Sequence, residues 1–214
     1  MRENFDNKLT TVLKKVHEMG VKTFDAVDSS IKGILELDDA NEDKIFKLEK
    51  EINRMQVDIE REIVAIMATE SPLVATDLRE MVSAIKIMGS FERIGDYAVH
   101  LTKSISKIES LPDSLKDDIK RMKKVLKEMF EALLESYVQK DYSAVKKIAS
   151  SDKIIDEIHK QFVLNLYDAS KKEIDIKSFS KLIFVGRYLE RYGDHIKNIC
   201  ECIIYGETNK QVNF

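Results

Sequence analysis

Two acidic pairs carry the residue types and spacing that could do chemistry in this chain. Glu92 and Asp96 stand in Phe91-Glu92-Arg93-Ile94-Gly95-Asp96. Glu190 and Asp194 stand in Leu189-Glu190-Arg191-Tyr192-Gly193-Asp194, ninety-eight residues further on. Glu and Asp four residues apart are neighbours on a helix surface, where like charges destabilise by about 0.2–0.5 kcal/mol. A glycine inside a helix costs about 1 kcal/mol relative to alanine. Both copies accept both costs. The acids are therefore read as placed for a cation, with the glycine clearing room for a neighbouring helix or a ligand. For one such pair, local pairing with Arg93 or Arg191 is the competing reading; duplication in register with the core weighs against it.

The same offset lays Ala84, Ile87, Phe91, Ile94, Ala98, Leu101 and Ile105 on Leu182, Val185, Leu189, Tyr192, Ile196, Ile199 and Ile203. This three-four spacing is that of a helix packed along a bundle seam. A shared stripe with a shared acidic feature means an internal repeat. Six helices are predicted, over about Phe5–Leu37, Glu42–Thr69, Val74–Glu109, Leu115–Gln139, Tyr142–Lys172 and Ile176–Tyr205, with Gly206–Phe214 as a frayed tail. Ser71-Pro72 and Leu111-Pro112-Asp113-Ser114 punctuate the pattern, and Asp141 is an N-cap. Only seven Gly and two Pro, with 34% of residues charged, agree with long helices. The expected fold is all-α: two pseudo-symmetric three-helix bundles, residues 1–110 and 111–214.

Short connections make neighbouring helices antiparallel, so the third helix of each repeat faces the second. More acids stand there. Glu49-Lys50-Glu51-Ile52-Asn53 corresponds to Asp152-Lys153-Ile154-Ile155-Asp156, and Asp152 lies on the seam Val145, Ile148, Asp152, Ile155, His159, Phe162, Leu166. Acids facing acids in partial burial are relieved by protonation or by a bound cation, and a metal ion is the economical answer. Carboxylates favour hard cations such as magnesium, manganese, calcium or iron over zinc. No CxxC or HExxH spacing occurs. His159 and His100 lie within helical reach of the clusters, as ligands or as partly buried histidines with one hydrogen bond; His17 and His195 carry no such role.

A formal net charge of −3 argues against a nucleic-acid partner, which requires a basic face. Lysine-rich stretches such as Lys120–Lys127 are read as solvated helix surface. The N-terminus shows no signal-peptide pattern, and the longest apolar run, Ile63–Ala68, is far short of a membrane span. Cys200 and Cys202 point to different sides of one helix and cannot bridge, which suits a reduced, cytoplasmic setting and a core role. No nucleophile–base pair or glycine-rich phosphate loop is present, so no enzyme is expected. A ferritin-like dimetal oxidase needs Glu-x-x-His from two helices. Asp156-Glu157-Ile158-His159 is the nearest approach.

On Glu92–Asp96, Glu190–Asp194, Asp152–Asp156 and Asn198-Ile199-Cys200-Glu201, the sequence resembles the PhoU family of cytoplasmic regulators of phosphate uptake and phosphate signalling. The likeness covers nearly the whole chain. It implies two three-helix bundles and, as in some members, metal clusters held by repeated E/D-x-x-x-D motifs. It also implies a role between the ATPase of a phosphate ABC transporter and a sensor histidine kinase, keeping the phosphate response off when phosphate is plentiful. Membrane association would then come only through these partners, and a homodimer is open. Carried over residue by residue, the metal candidates are Glu49, Asn53, Glu92 and Asp96 in the first half. Those of the second half are Asp152, Asp156, Glu190, Asp194 and Glu201. Asn53 stands where the second half has Asp156, and Lys103 where it has Glu201, so the first cluster is the less negative. A ferritin-like oxidase and a metal-free helical adaptor are the alternatives the residues leave open.

Overall fold

A computed structural model describes residues 2–70, 72–139, 141–171, 174–209, 212 and 214. Seven helices follow in order: α1 (Arg2–Glu36), α2 (Glu42–Thr69), α3 (Ala75–Ile105), α4 (Asp113–Gln139), α5 (Tyr142–Ser150), α6 (Asp152–Ala169) and α7 (Ile176–Thr208). No strand occurs among the described residues. Ser71 of the expected Ser71-Pro72 break, Lys172 at the expected end of the fifth helix, and Lys210, Gln211 and Asn213 of the tail lie outside the described residues.

The expected fifth helix is two. Ser150 Oγ donates to Lys146 O at 3.0 Å and Ser151 Oγ to Lys147 O at 3.3 Å. Serines that bond back to the preceding turn compete with the helix and bend it. Across the break the backbone tightens: Ser151 N bonds Ile148 O and Ile154 N bonds Ser151 O, each at 3.0 Å. The bend places Asp152 in the first turn of α6, where the helix dipole favours an acid. Asp141 does cap α5, its side chain accepting from Ser143 N and Ala144 N. The last helix outruns its expected end at Tyr205 and stops at Thr208, with Asn209 in the left-handed cap (φ 58°). Gly206, expected in the frayed tail, is buried against α3, where a Cβ would lie 2.9 Å from Ser83 Oγ.

α1 closes on a left-handed residue, Leu37 (φ 51°), with Asp38 N bonded to Gly33 O at 3.0 Å. That six-to-one bond folds the chain back over Gly33, where a Cβ would meet Asp38 O at 2.7 Å. The turn sends α2 back along α1. The N-terminus of α1 is pinned in turn: the Arg2 guanidinium pairs with both oxygens of Asp77 on α3, at 2.6 and 2.9 Å.

α1, α2 and α3 make one three-helix bundle; α4, the bent α5–α6 pair and α7 make the other. The two share a core. α3 packs along α7 and α1 along α4, so that α1, α3, α7 and α4 form a closed ring of four. Among the described residues, α2 touches only α1 and α3, and α5 and α6 touch only α4, α7 and each other. The two expected three-helix bundles are present, and their shared core is what the structure adds. Phe130 of α4 is the hub, stacked on Phe24 of α1 at 5.6 Å and tilted against Phe91 of α3 and Tyr192 of α7 at 5.8 and 5.7 Å. α3 and α7 run antiparallel, since Ser83 lies by Gly206 while Glu109 N bonds Ser178 Oγ at 3.0 Å. The repeat becomes visible at their midpoint. Tyr97 and His195, equivalent under the ninety-eight-residue offset, meet each other there (Oη to Nε2, 3.2 Å) on a pseudo-twofold axis.

Candidate functional site

Each repeat brings its acids together where its last helix crosses the helix before it. In the second half, Asp152 on α6 is the centre. Its residue is 3% exposed, Oδ2 accepts from Lys197 Nζ at 3.1 Å, and Oδ1 is buried with no hydrogen-bond partner. Burial pushes its carboxyl above the ordinary range; Lys197 pulls it back, while Asp194 and Asp156 push it further up. Glu190 is raised as well, first by burial, then by Asp194 and, more weakly, Asp156. Asp152, Asp156, Glu190 and Asp194 therefore share one electrostatic environment. Glu201 belongs to its edge: it acts on Lys197 and accepts a hydrogen bond from Phe214 N at 3.2 Å.

The first half repeats this with less charge. Burial raises Glu92, helped by Asp96 and, across the helix pair, by Glu49. Asn53 ties Glu49 down, Nδ2 donating to Oε1 at 2.6 Å, while Asn53 Oδ1 stays buried and unpartnered. A cavity of about 340 Å3 opens beside Glu49 and Asp96, lined also by Phe46, His100 and Lys103. Lys103 sits over the Phe46 ring at 5.5 Å. Each cluster thus has its own lysine, in different places: Lys103 in the first, Lys197 in the second, where the first half has Val99.

The raised carboxyls have a thermodynamic sign. A folded state that holds a proton more tightly than the unfolded chain loses stability as pH rises. Asp152, Glu92 and Glu190 therefore cost stability in full above their raised folded pKa values, and the cost vanishes below the ordinary carboxylate range. A cation beside them would remove that cost. The second half's donor set fits a hard cation: carboxylates only, with an unpartnered buried oxygen on Asp152 aimed at Gly193 of the opposite helix. As the side chains stand, no three His, Cys, Asp or Glu among the described residues are close enough to share one ion.

Local pairing is present too. Arg93 lies 3.5 Å from Glu92 and 3.4 Å from Asp96, and Arg191 lies 3.6 Å from Glu190 and 3.2 Å from Asp194. Both arginines are exposed, and such surface pairs are worth at most about 1 kcal/mol. They do not serve the buried side of each cluster, where in the second half Lys197 partly offsets Asp152.

The histidines divide differently from expectation. His195, given no role from the sequence, bonds Tyr97 on the axis, and burial lowers its pKa. His100 stacks on Tyr188 of α7 at 5.2 Å, and Tyr188 stacks on Tyr97 at 5.5 Å, so an aromatic bridge joins α3 to α7. His159 packs near Gly186 and is also lowered by burial, against an opposing push from Asp156. Lys197 escaped the sequence reading because its partner lies forty-five residues away on another helix. Cys200 and Cys202 are unbridged; burial raises both thiols, Cys200 to about 12, as befits core residues. No described helix is long and apolar enough to cross a membrane.

The fold and its two acid clusters define a class: an internally duplicated all-helical protein with a carboxylate-rich helix pair in each half. Comparison with known proteins places it. The PhoU domain model matches twice, over residues 16–105 and 119–203, and the chain belongs to that family. The phosphate-specific transport system accessory protein PhoU homolog of Clostridium acetobutylicum is 29% identical, covering 99% of this chain and 98% of the relative. The homolog of Borreliella burgdorferi is 32% identical, covering 77% of each. Crystal structures of PhoU from Pseudomonas aeruginosa (TM-score 0.90, 25% identity) and of the phosphate transport system regulatory protein PhoU from Streptococcus pneumoniae (TM-score 0.89, 23% identity) superpose over 96% and 98% of this chain and the whole of theirs. These relatives bear the names of accessory and regulatory proteins, and the family is not one of enzymes.

Proposed function

We propose that this chain is a cytoplasmic regulator of phosphate uptake and phosphate-starvation signalling. It works by contact, between the ATPase of a phosphate ABC transporter and a sensor histidine kinase, and holds the starvation response off when phosphate is plentiful. The observation that carries the reading is membership of the PhoU family across both repeats, with full-length relatives named as accessory proteins of phosphate-specific transport. The two halves, residues 1–110 and 111–214, present equivalent helical faces either side of a pseudo-twofold axis, which suits a protein with more than one partner. Membrane association then comes through those partners, and a homodimer is compatible with it. Deleting the gene should raise expression of phosphate-starvation genes in phosphate-rich medium. Unchanged expression together with unchanged phosphate uptake would overturn the reading.

The acid clusters are the proposed metal sites. Asp152, Asp156, Glu190, Asp194 and Glu201 would hold a hard cation such as iron, magnesium, manganese or calcium, which would neutralise the carboxylates and brace α6 against α7. Glu49, Asn53, Glu92 and Asp96 would form the weaker site, with Asn53 and Lys103 lowering its charge. The unpartnered buried oxygen of Asp152 supports this. Asp194→Asn should lower metal content and melting temperature together, because an ion at a hundred times its Kd stabilises the native state by about 2.7 kcal/mol. Unchanged metal stoichiometry in that variant would remove the metal assignment and leave the regulatory one standing. Turnover of dioxygen by iron-loaded protein would instead favour a ferritin-like oxidase.

A further inference from the structure

Where the first half of α3 meets the end of α7, the helix ring encloses a cavity of about 510 Å3, within the size range of small-molecule sites. It uses no residue of the acid clusters. Leu13, Ala84, Ile87 and Ile203 make its walls mainly apolar, with Val138 exposed at the rim. Two buried, unpartnered hydroxyls interrupt them: Ser83 Oγ, on a residue 4% exposed, and Tyr137 Oη. A buried hydroxyl left unsatisfied costs about 1–3 kcal/mol, so apolar packing alone would favour alanine and phenylalanine at these places. Gly206 preserves the room beside Ser83, since a Cβ there would crowd its hydroxyl.

The mouth is acidic. Glu18 and Glu207 line it with a third carboxylate, Glu80, which has an interaction of its own within the protein; Lys14 is the one lysine in the described lining, beside His17. Tyr142 Oη donates to Glu207 Oε2 at 3.1 Å, setting an aromatic ring beside a carboxylate. Burial holds both phenols above their ordinary range, Tyr142 at about 12 with Glu207 adding to it, so both stay neutral donors. An apolar chamber with two unpaired hydroxyls, an acidic rim and a tyrosine face complements an amphipathic cation.

We propose that this cavity binds a small organic amine, its ammonium group toward Glu207, Glu18 and the Tyr142 ring, its apolar body against Leu13, Ile87 and Ile203. The walls come from both repeats, so the ligand would tighten their junction.

The test is isothermal titration and thermal melting of the full chain with 2-phenylethylamine, set against 2-phenylethanol as the neutral counterpart and 3-phenylpropionate as the anionic one. The amine should bind saturably, raise the melting temperature, and bind at least tenfold more tightly than the alcohol. The carboxylate should not bind. Glu207→Gln, which can still accept from Tyr142, should weaken the amine several-fold and leave the alcohol unchanged. Val138→Trp, at an exposed rim position, should abolish binding of both with the circular dichroism spectrum intact. Equal affinity for amine and alcohol would overturn the cationic assignment. Failure of all three to bind at millimolar concentration would overturn the site. Amine binding that survives Val138→Trp would place the ligand elsewhere. Self-association abolished by Val138→Trp, without amine binding, would give the cavity to a second copy of the chain.

Discussion

Phe130→Ala is expected to destabilise the protein by about 3–5 kcal/mol, the range for removing a fully buried aromatic side chain. Phe130 has no exposed surface, and its ring meets an aromatic ring from each of the other three helices of the central ring. The space left behind cannot close easily. Gly20 of α1 is already in tight contact beside it: a Cβ there would reach 2.7 Å from Leu134 and 2.8 Å from Phe91. Native stabilities run to only about 5–15 kcal/mol, so the variant sits near the threshold of folding. Urea titration should show one cooperative transition moved to lower denaturant, because a single core joins both halves. Two separated transitions, or a loss below about 1 kcal/mol, would show that the halves fold on separate cores and that Phe130 is not their hub.

The packing of one bundle on the other marks where reading the sequence stops. Three-four spacing identified the helix faces correctly: every residue of the paired stripes on α3 and α7 is buried, and α2 has the expected bounds. Periodicity says that a face is covered, not by what. The stripe of α3 was read as the seam of its own bundle, yet Ser83, Ser90, Thr102 and Ser104 off that stripe are buried too. A helix covered nearly all round is a central one. Small residues on its second side were the available signal, and they let α7 come close. The acid clusters were legible because each is built from local spacing repeated in register. Lys197, the orphaned oxygen of Asp152 and the pairing of Tyr97 with His195 were not, because each depends on which faces of separate helices meet. The break at Ser151 escaped for a related reason. Serine side chains choose between solvent and the preceding turn only once the surrounding packing is in place.

The same repeat predicts opposite outcomes for one substitution made twice. Gly95 and Gly193 are equivalent, and no glycine among the described residues has a positive φ, so neither is required by backbone conformation. Replacing either by alanine should gain about 1 kcal/mol of helix propensity. At Gly95 the new Cβ would meet only the Ile52 side chain, at 3.4 and 3.7 Å, which is ordinary contact. Gly95→Ala should therefore raise the melting temperature and leave metal content alone. At Gly193 the Cβ would lie 2.8 Å from Asp152 Oδ1, on a buried carboxylate whose other oxygen is held by Lys197. Overpacking of this kind costs about 1–3 kcal/mol, enough to cancel or outweigh the propensity gain. The carboxylate must also turn away from the side that Gly193 keeps open. If Asp152 is a metal ligand, Gly193→Ala loses metal from the second half and, with it, the stability that the ion supplies. Melting curves with and without chelator read both effects. Equal stabilisation by the two alanines would show that the opening beside Asp152 holds nothing the protein needs. A destabilised Gly193→Ala that keeps its full metal content would leave the close contact real but take Asp152 out of the site.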